Sequence, residues 1–316
     1  MDCAKPPARG RWRLYGLNVA SDLPLPCLPA SGDGTDLTIR WRGAAPGLFP
    51  TPSSLTRTWA RESGGWILRY AYPDGNFLEF VMEPDGSAVS MSHHTPFDWP
   101  DFLMILLGPA MGAVLHLRKT PVLHGGAVIG DGGAILLLSV SGAGKSTLTA
   151  ALVNSGRPFL CEEVAALSLN NGVVFVQPGH SFLKLSPGTI KVLGKSPETL
   201  PLVSTGFTMP EERWLDARTL KGGHHDAAAP LRAVYLLAGR QAELRRPRID
   251  SLSPAKASIA LSRHFYGRPW LSLLPEETLR LSARIAGAAP VKEVWAPEGI
   301  ASINATAEAL MEDLGA

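Results

Sequence analysis

Residues 139–147 read Ser-Val-Ser-Gly-Ala-Gly-Lys-Ser-Thr, and this stretch decides the fold of the chain. An apolar run with the composition of a buried strand precedes it at 134–138, and a helical composition follows at 148–153. A strand, a glycine-rich turn, a lysine, a hydroxyl residue and a helix form the context that a phosphate-binding loop requires. The pattern therefore predicts an α/β fold with an anion-binding turn at this point.

Each residue type in the motif suits a chemical task. Gly142 and Gly144 let backbone N–H groups close around an anion, since no Cβ stands in the way. Lys145 would reach the outer phosphates of a nucleotide, and the Ser146 hydroxyl would join the shell of a phosphate-bound Mg²⁺. The residues predicted to bind the nucleotide are Ser141, Gly142, Ala143, Gly144, Lys145, Ser146 and Thr147.

The motif departs from the standard pattern at one position. Ser139 stands where G-x-x-x-x-G-K-[ST] has its first glycine. Because the rest of the motif is intact, we expect a working nucleotide loop with an altered entry turn. The alternative is a Gly/Ser turn with an incidental lysine, and the flanking strand and helix argue against it.

Composition sets the class of the protein. The chain has 316 residues, of which 45% are hydrophobic and 18% charged, as in a globular protein with one large or two modest domains. Its 30 basic and 28 acidic residues give no reason to expect nucleic acid or an anionic membrane as a partner. One short basic cluster is interpreted as a solvated loop: Arg240, Arg245, Arg246 and Arg248.

Cysteine usage and hydropathy favour a cytoplasmic location. Three cysteines without metal-ligand spacing cannot all pair, which indicates a reducing compartment, and the N-terminus has no apolar signal segment. The most apolar stretch, 102–117, is shorter than the ~20 residues of a membrane span and contains Pro109. It is therefore predicted to be a buried helix that bends near the proline.

The chain is predicted to have a β-rich region at 1–97 and a nucleotide-binding catalytic domain at 98–316. The first region would serve acceptor recognition, and the second begins with the helix at about 99–117. A polar stretch at 201–226 is predicted to be a mobile loop. Strands are predicted in the first region at 11–17, 36–42, 66–72 and 77–83 and in the second at 122–129, 134–138, 157–161, 164–169, 173–177 and 231–237. Further helices are predicted at 254–264, 276–286 and 305–314.

An acidic pair, Glu162 and Glu163, ends the strand that follows the loop helix. Since α/β sheets place ligands at the carboxyl ends of their strands and adjacent strand residues point to opposite faces, one acid is predicted to face the γ-phosphate. Its neighbour would then pack, cap or support the metal. The alternative is a solvated acidic turn. His124, at the start of the strand pair that feeds the loop, is either an active-site residue or a structural histidine.

These residues together resemble the HPr kinase/phosphorylase family. The resemblance covers roughly 118–180 and consists of Leu-His-Gly, an apolar hairpin, Ser-Gly-Ala-Gly-Lys-Ser and an acidic pair. It implies a P-loop kinase core of the HPr-kinase type that uses ATP and Mg²⁺. It also implies active-site roles for His124 and Lys145, Mg²⁺ binding by Ser146, and a Glu162 that accepts the proton of the acceptor hydroxyl. From its place in the acidic pair, Glu163 is predicted to be a further catalytic residue and to hold Mg²⁺ together with Ser146.

This chain differs from the family pattern in two features, and the second concerns the acceptor. The family's acidic pair is Asp-Asp, and its Glu-x-Arg-Gly segment, which engages HPr, has no match here. The segment at 15–26, Tyr-Gly-Leu-Asn-Val-Ala-Ser-Asp-Leu-Pro-Leu-Pro, is similar instead to HPr-kinase-like proteins of peptide natural-product clusters, including lasso-peptide tailoring kinases. This implies a ribosomally synthesised precursor peptide as the partner, phosphorylated on a hydroxyl, with serine as the expected residue.

Other functions stay open at this point. The acceptor is alternatively a small metabolite or an HPr-like protein, and a non-catalytic nucleotide-binding regulatory module is the alternative outside the enzyme class. Related kinases of this type are often oligomers, so a homo-oligomer is among the expectations.

Overall fold

The computed structural model describes residues 10–25, 27–44, 52–62, 65–94, 99–204, 211–267 and 275–315. The chain forms two compact units, one comprising residues 1–120 with 201–212 and the other 121–200 with 213–316. The helical segment after residue 98 thus belongs to the first unit. The assignment of acceptor recognition to 1–97 and catalysis to 98–316 stays a prediction.

The first unit is built on a seven-stranded sheet with the order β1-β2-β3-β7-β6-β5-β4. Its strands are β1 (Gly10–Leu14), β2 (Leu17–Ser21), β3 (Leu37–Ala44), β4 (Thr56–Glu62), β5 (Gly65–Ala71), β6 (Phe77–Met82) and β7 (Ala88–His93). Alternation along β5 to β7 buries one face of the sheet, as the sequence predicted for this β-rich region. The sequence predicted one strand at 11–17 where the structure has β1 and β2. It did not predict β4, which has few apolar residues, or β7, which contains two serines and a histidine.

A continuous helical segment follows in the same unit: α1 (Trp99–Ile105), a π-type turn (Leu106–Ala110) and α2 (Met111–Leu117). The π turn contains Pro109, whose missing N–H cannot donate to the preceding turn. Among the described residues, the segment 99–117 is long and apolar enough to cross a membrane, and 72% of its most apolar window is buried. The prediction of a buried helix is confirmed, and the π turn contains the proline near which the helix was predicted to bend.

The second unit contains an eight-stranded sheet. Its strands are β8 (Val122–Gly130), β9 (Gly133–Ser139), β10 (Phe159–Cys161), β11 (Val164–Asn170), β12 (Val173–Val176), β15 (Ala229–Gln241), β16 (Arg248–Ser251) and β17 (Val291–Pro297). β9 and β17 run parallel to β15 on its two sides, and β8 runs antiparallel to β9. A separate pair joins β13 (Phe182–Leu185) to β14 (Arg213–Asp216).

Helices cover both faces of this sheet, which makes the protein a mixed α/β structure. The helices of the unit are α3 (Lys145–Asn154), α4 (Pro187–Val192), α5 (Pro254–Leu261), α6 (Pro275–Ala288) and α7 (Ile303–Gly315). Leu136 and Leu138 pack in the cluster that contains α5 and α6 residues, whereas Ile135 and Leu137 pack with α3 and α7. Because both faces are covered, β9 is apolar at successive positions rather than at alternate ones.

Two further parts of the chain differ from the sequence-based predictions. The stretch predicted as a mobile loop at 201–226 contains β14 and a 3₁₀ turn at Ala217–Thr219, while residues 205–210 lie outside the described residues. β14 forms because it pairs antiparallel with β13, with Trp214 opposite Lys184 and Leu215 opposite Leu183. The two strands are far apart in the sequence. β13, β16 and β17 were also not predicted, since their pairing partners lie far along the chain.

Candidate active site

The glycine-rich loop connects the carboxyl end of β9 to the first residue of α3, as predicted. Gly142 has φ +82° and Gly144 has φ +96°, the left-handed conformation that glycine adopts at low cost. A Cβ built on Gly142 would meet no described atom within 4 Å, so the loop is open at this residue. Gly144 is also the N-cap of α3 and offers no side chain to the free N–H groups of the first turn. The loop therefore presents backbone donors to an anion.

Lys145 is the first residue of α3 and is only 9% exposed. Within the described part of the chain, its ammonium forms no hydrogen bond or ion pair, although a buried charge normally has a partner. Ser146 and Thr147 are partly exposed in the same turn, and Thr147 Oγ1 lies 2.9 Å from Thr189 Oγ1. A buried, unpartnered lysine beside open N–H groups is suited to an anionic ligand.

Two glycines after His124 bring β8 close to its neighbours. A Cβ on Gly125 would lie 2.9 Å from the carbonyl oxygen of Leu137, and one on Gly126 would lie 2.7 Å from Thr149 Oγ1. The Thr149 hydroxyl itself donates to the Lys145 carbonyl oxygen at 3.0 Å. The Leu-His-Gly-Gly segment thus lets α3 approach β8 closely, which sets His124 and Lys145 in one region.

The acidic pair follows β10 directly. Glu162 is 3% exposed, and its Oε2 accepts a hydrogen bond from the Lys184 backbone N–H at 2.9 Å. Its Oε1 is buried without a hydrogen-bond partner among the described residues. An unpaired buried carboxylate oxygen is costly, and a bound cation or a substrate hydroxyl would satisfy it.

Glu163 has φ +65°, a left-handed conformation that is strained for a residue with a side chain. The two side chains therefore do not point to opposite faces, as they would in an extended strand. Both carboxylates contact Lys184. The Lys184 ammonium forms an ion pair with Glu163, and the Tyr266 hydroxyl lies 3.5 Å from Glu163 Oε1. Backbone strain of this kind is concentrated at functional sites.

The charges of the cluster act on one another. Burial lowers the pKa of His124 to about 4, with a further decrease from the positive charge of Lys145, so the ring is neutral at pH 7. Burial alone would raise the pKa of Glu163, but the Lys184 ammonium outweighs it, with smaller effects from His124 and Lys145, and the pKa falls to about 2. Glu163 is therefore an anion at neutral pH and a weak base.

The structure adds two residues that sequence reasoning missed. Lys184 contacts both acids, and Tyr266 packs edge-on against His124 with ring centroids 5.8 Å apart. β13, which carries Lys184, has too short an apolar alternation to stand out, and Tyr266 lies in a turn. Neither has a sequence signal that relates it to the loop.

Two other described histidines have protein partners instead of a metal-binding arrangement. His180 is buried against Trp214, and the His224 Nδ1 lies 2.6 Å from Asp226 Oδ1. Among the described residues no group of three or more His, Cys, Asp or Glu side chains is arranged to hold a metal ion. A Mg²⁺ ion held partly by phosphate oxygens needs fewer protein ligands. The partly exposed Ser146, the anionic Glu163 and the unpaired oxygen of Glu162 fit that type of site.

No protein-family model and no curated protein matches the chain. Among solved structures, the Hpr(Ser) kinase/phosphatase from Coxiella burnetii is similar over 61% of this chain and 97% of its own. The sequence identity is 12% and the TM-score is 0.35.

Proposed function

We propose that this protein is an ATP-dependent phosphotransferase that transfers the γ-phosphoryl group of ATP to a hydroxyl group. One observation carries the proposal: buried Lys145, unpartnered at the start of α3, is close enough to His124 and Glu163 for its charge to lower the pKa of both. Phosphoryl transfer needs a phosphate cradle, positive charge and a group that positions the acceptor. The second unit contains candidates for all three.

In the proposed reaction, the acceptor oxygen bonds to the γ-phosphorus while the bond from that phosphorus to the bridging oxygen of ADP breaks. The hydroxyl proton passes to Glu162, whose carboxylate is oriented by the Lys184 N–H and keeps one oxygen unpaired. Lys145 offsets the charge on the transferred group. Mg²⁺, held by Ser146 and Glu163, would neutralise phosphate charge when bound. Neutral His124 would hydrogen-bond to the phosphates or the acid.

A second candidate is a nucleotide-binding module without transfer activity. Both acids already have partners in the protein, Glu162 through the Lys184 N–H and Glu163 through the Lys184 ammonium. This arrangement would also suit a purely structural acidic turn. The second candidate predicts ATP binding without turnover, insensitive to Glu162→Gln.

For the acceptor, we propose a ribosomally synthesised precursor peptide, with a small metabolite or an HPr-like protein as the alternatives. In the described part of the first unit, β4 is one of the two terminal strands of the sheet, and most of its residues are exposed. An edge strand can pair with an extended peptide through its backbone. The exposed edge of β4 supports a peptide acceptor.

The test is a transfer assay with the purified protein, Mg²⁺ and γ-labelled ATP. Precursor peptides, HPr and small hydroxyl metabolites serve as acceptors, and the products are read by mass. We expect one phosphate on the true acceptor, and we expect Lys145→Ala and Glu162→Gln each to lower the rate by at least about a hundredfold.

Matched controls come from exposed residues of the same unit. Lys256→Ala in α5 and Glu308→Gln in α7 remove the same chemical groups from the surface and should leave the rate unchanged. ATP binding without transfer to any acceptor would contradict the kinase and favour the regulatory module. Full activity of Glu162→Gln would exclude Glu162 as the base.

A further inference from the structure

Arg240 lies beside the glycine-rich loop. It is near the end of β15, whose Leu237 pairs with Ser139 at the end of the parallel strand β9, so Arg240 extends past the start of the loop. A Cβ built on Gly144 would lie 2.8 Å from a terminal nitrogen of the Arg240 guanidinium. The arginine predicted to belong to a solvated loop thus contacts the loop that precedes α3.

Arg240 is exposed. In the described part of the chain its guanidinium forms no hydrogen bond or ion pair, whereas three other arginines of the unit pair with carboxylates. Those arginines are Arg157 with Asp131, Arg218 with Asp216 and Arg248 with Asp250. Arg240 lies instead next to Gly144 at the N-terminus of α3, which is the positive end of the helix dipole. A cation at this end of a helix is unfavourable unless an anion offsets it.

The buried, unpartnered ammonium of Lys145 is an independent sign that an anion belongs here. A phosphate chain would satisfy the lysine, the loop N–H groups and the guanidinium together. Arginine is well suited to this role, because its planar fork matches phosphate oxygens.

We propose that Arg240 binds the phosphate chain of the nucleotide, an inference that rests on the function proposed above. β9 is flanked by β8 on one side and by β15 on the other. His124 lies on β8, so Arg240 and the catalytic cluster approach the loop from opposite sides. The γ-phosphate then faces the acids on the β8 side, and the inner phosphates and nucleoside extend toward β15.

Calorimetric titration with ATP, ADP and adenosine, each with Mg²⁺, tests this inference. We expect Arg240→Ala to weaken ATP and ADP binding about tenfold or more and to leave adenosine binding unchanged. Arg240→Lys should restore part of the affinity, since it keeps the charge and loses the fork. Arg245→Ala removes an exposed arginine of the β15–β16 connection and should bind like the wild type.

The outcomes separate this inference from the function on which it rests. Wild-type affinity in Arg240→Ala, with affinity lost in Lys145→Ala, would overturn the role of Arg240 and leave the nucleotide site intact. Equal weakening in Arg240→Ala and Arg245→Ala would also overturn it, because general surface charge would then explain the effect. Absence of ATP binding by the wild-type protein would overturn both proposals.

Discussion

At the scale of single residues, Lys184 organises the candidate site. Its backbone N–H orients Glu162, and its ammonium pairs with Glu163. The left-handed backbone of Glu163 is what lets two consecutive carboxylates approach one lysine, because an extended backbone would direct them to opposite sides. Strain at one residue thus assembles a charged cluster beside the loop lysine.

A buried histidine near this cluster predicts a pH-dependent stability. Burial lowers the pKa of His180 from 6.5 to about 4, and its Nδ1 accepts a hydrogen bond from the Phe182 N–H at 3.3 Å. Between these pH values the unfolded chain binds the proton and the folded protein does not, so stability falls as the pH falls from 6.5 to 4. We expect about 2–3 kcal/mol from this group in urea unfolding of the metal-free protein.

His180→Asn is the matched variant, since its amide oxygen can accept the same hydrogen bond. It should unfold with a smaller loss of stability between pH 6.5 and 4 than the wild type. Identical pH profiles for the two proteins would show that His180 does not titrate in this window.

At the scale of secondary-structure elements, the distance between β8 and α3 decides where the lysine lies. Gly125 permits β8 to run close to the backbone of β9, and Gly126 permits contact with α3 through Thr149. A larger residue at either position would move an element that carries a candidate catalytic side chain. Glycine is therefore required here for packing rather than for a turn.

The packing predicts the effect of Gly126→Ala. Its Cβ would lie 2.7 Å from Thr149 Oγ1, so the Thr149 side chain or α3 must shift, and we expect a loss of about 1–3 kcal/mol in the free energy of unfolding. ATP affinity should fall as well, because the loop moves with the helix. Urea denaturation and calorimetry measure the two effects.

Gly287→Ala is the control, because no described atom lies within 4 Å of its built Cβ in α6. It should be neutral or stabilising by up to about 1 kcal/mol. Wild-type stability and ATP affinity in Gly126→Ala would show that the β8–α3 contact tolerates a methyl group and does not position the loop.

At the scale of the whole molecule, every candidate site residue belongs to the second compact unit. These residues are His124, Lys145, Glu162, Glu163, Lys184, Arg240 and Tyr266. The first unit contributes a different architecture, a seven-stranded sheet with a buried helical segment. The segment 201–212 groups with the first unit although the chain on either side of it belongs to the second.

This division predicts how ATP changes hydrogen exchange. At an ATP concentration a hundred times the dissociation constant, binding stabilises the folded state by about 2.7 kcal/mol. We expect slower exchange in peptides that cover 139–154 and 161–164, and unchanged exchange in β5 to β7. Lys145→Ala should abolish the protection. Equal protection of both units would contradict a nucleotide site confined to the second.

The amino-acid sequence by itself determined the local features of this protein. The loop at 139–147, the hairpin of β8 and β9 and most helices follow from apolar periodicity, glycine positions and turn chemistry. These signals act over a few residues, so they can be read without knowing where distant segments lie. The buried helix with Pro109 was predictable for the same reason.

The tertiary structure alone decided which distant residues meet at the loop. Lys184 and Tyr266 reach the acids, and Arg240 reaches Gly144, only after β13 has paired with β14 and β15 has paired with β9. The stretch predicted as a mobile loop at 201–226 contains a strand for the same reason. Pairing between segments far apart in the chain depends on the free energy of the whole packed unit, and no local pattern in the sequence records it.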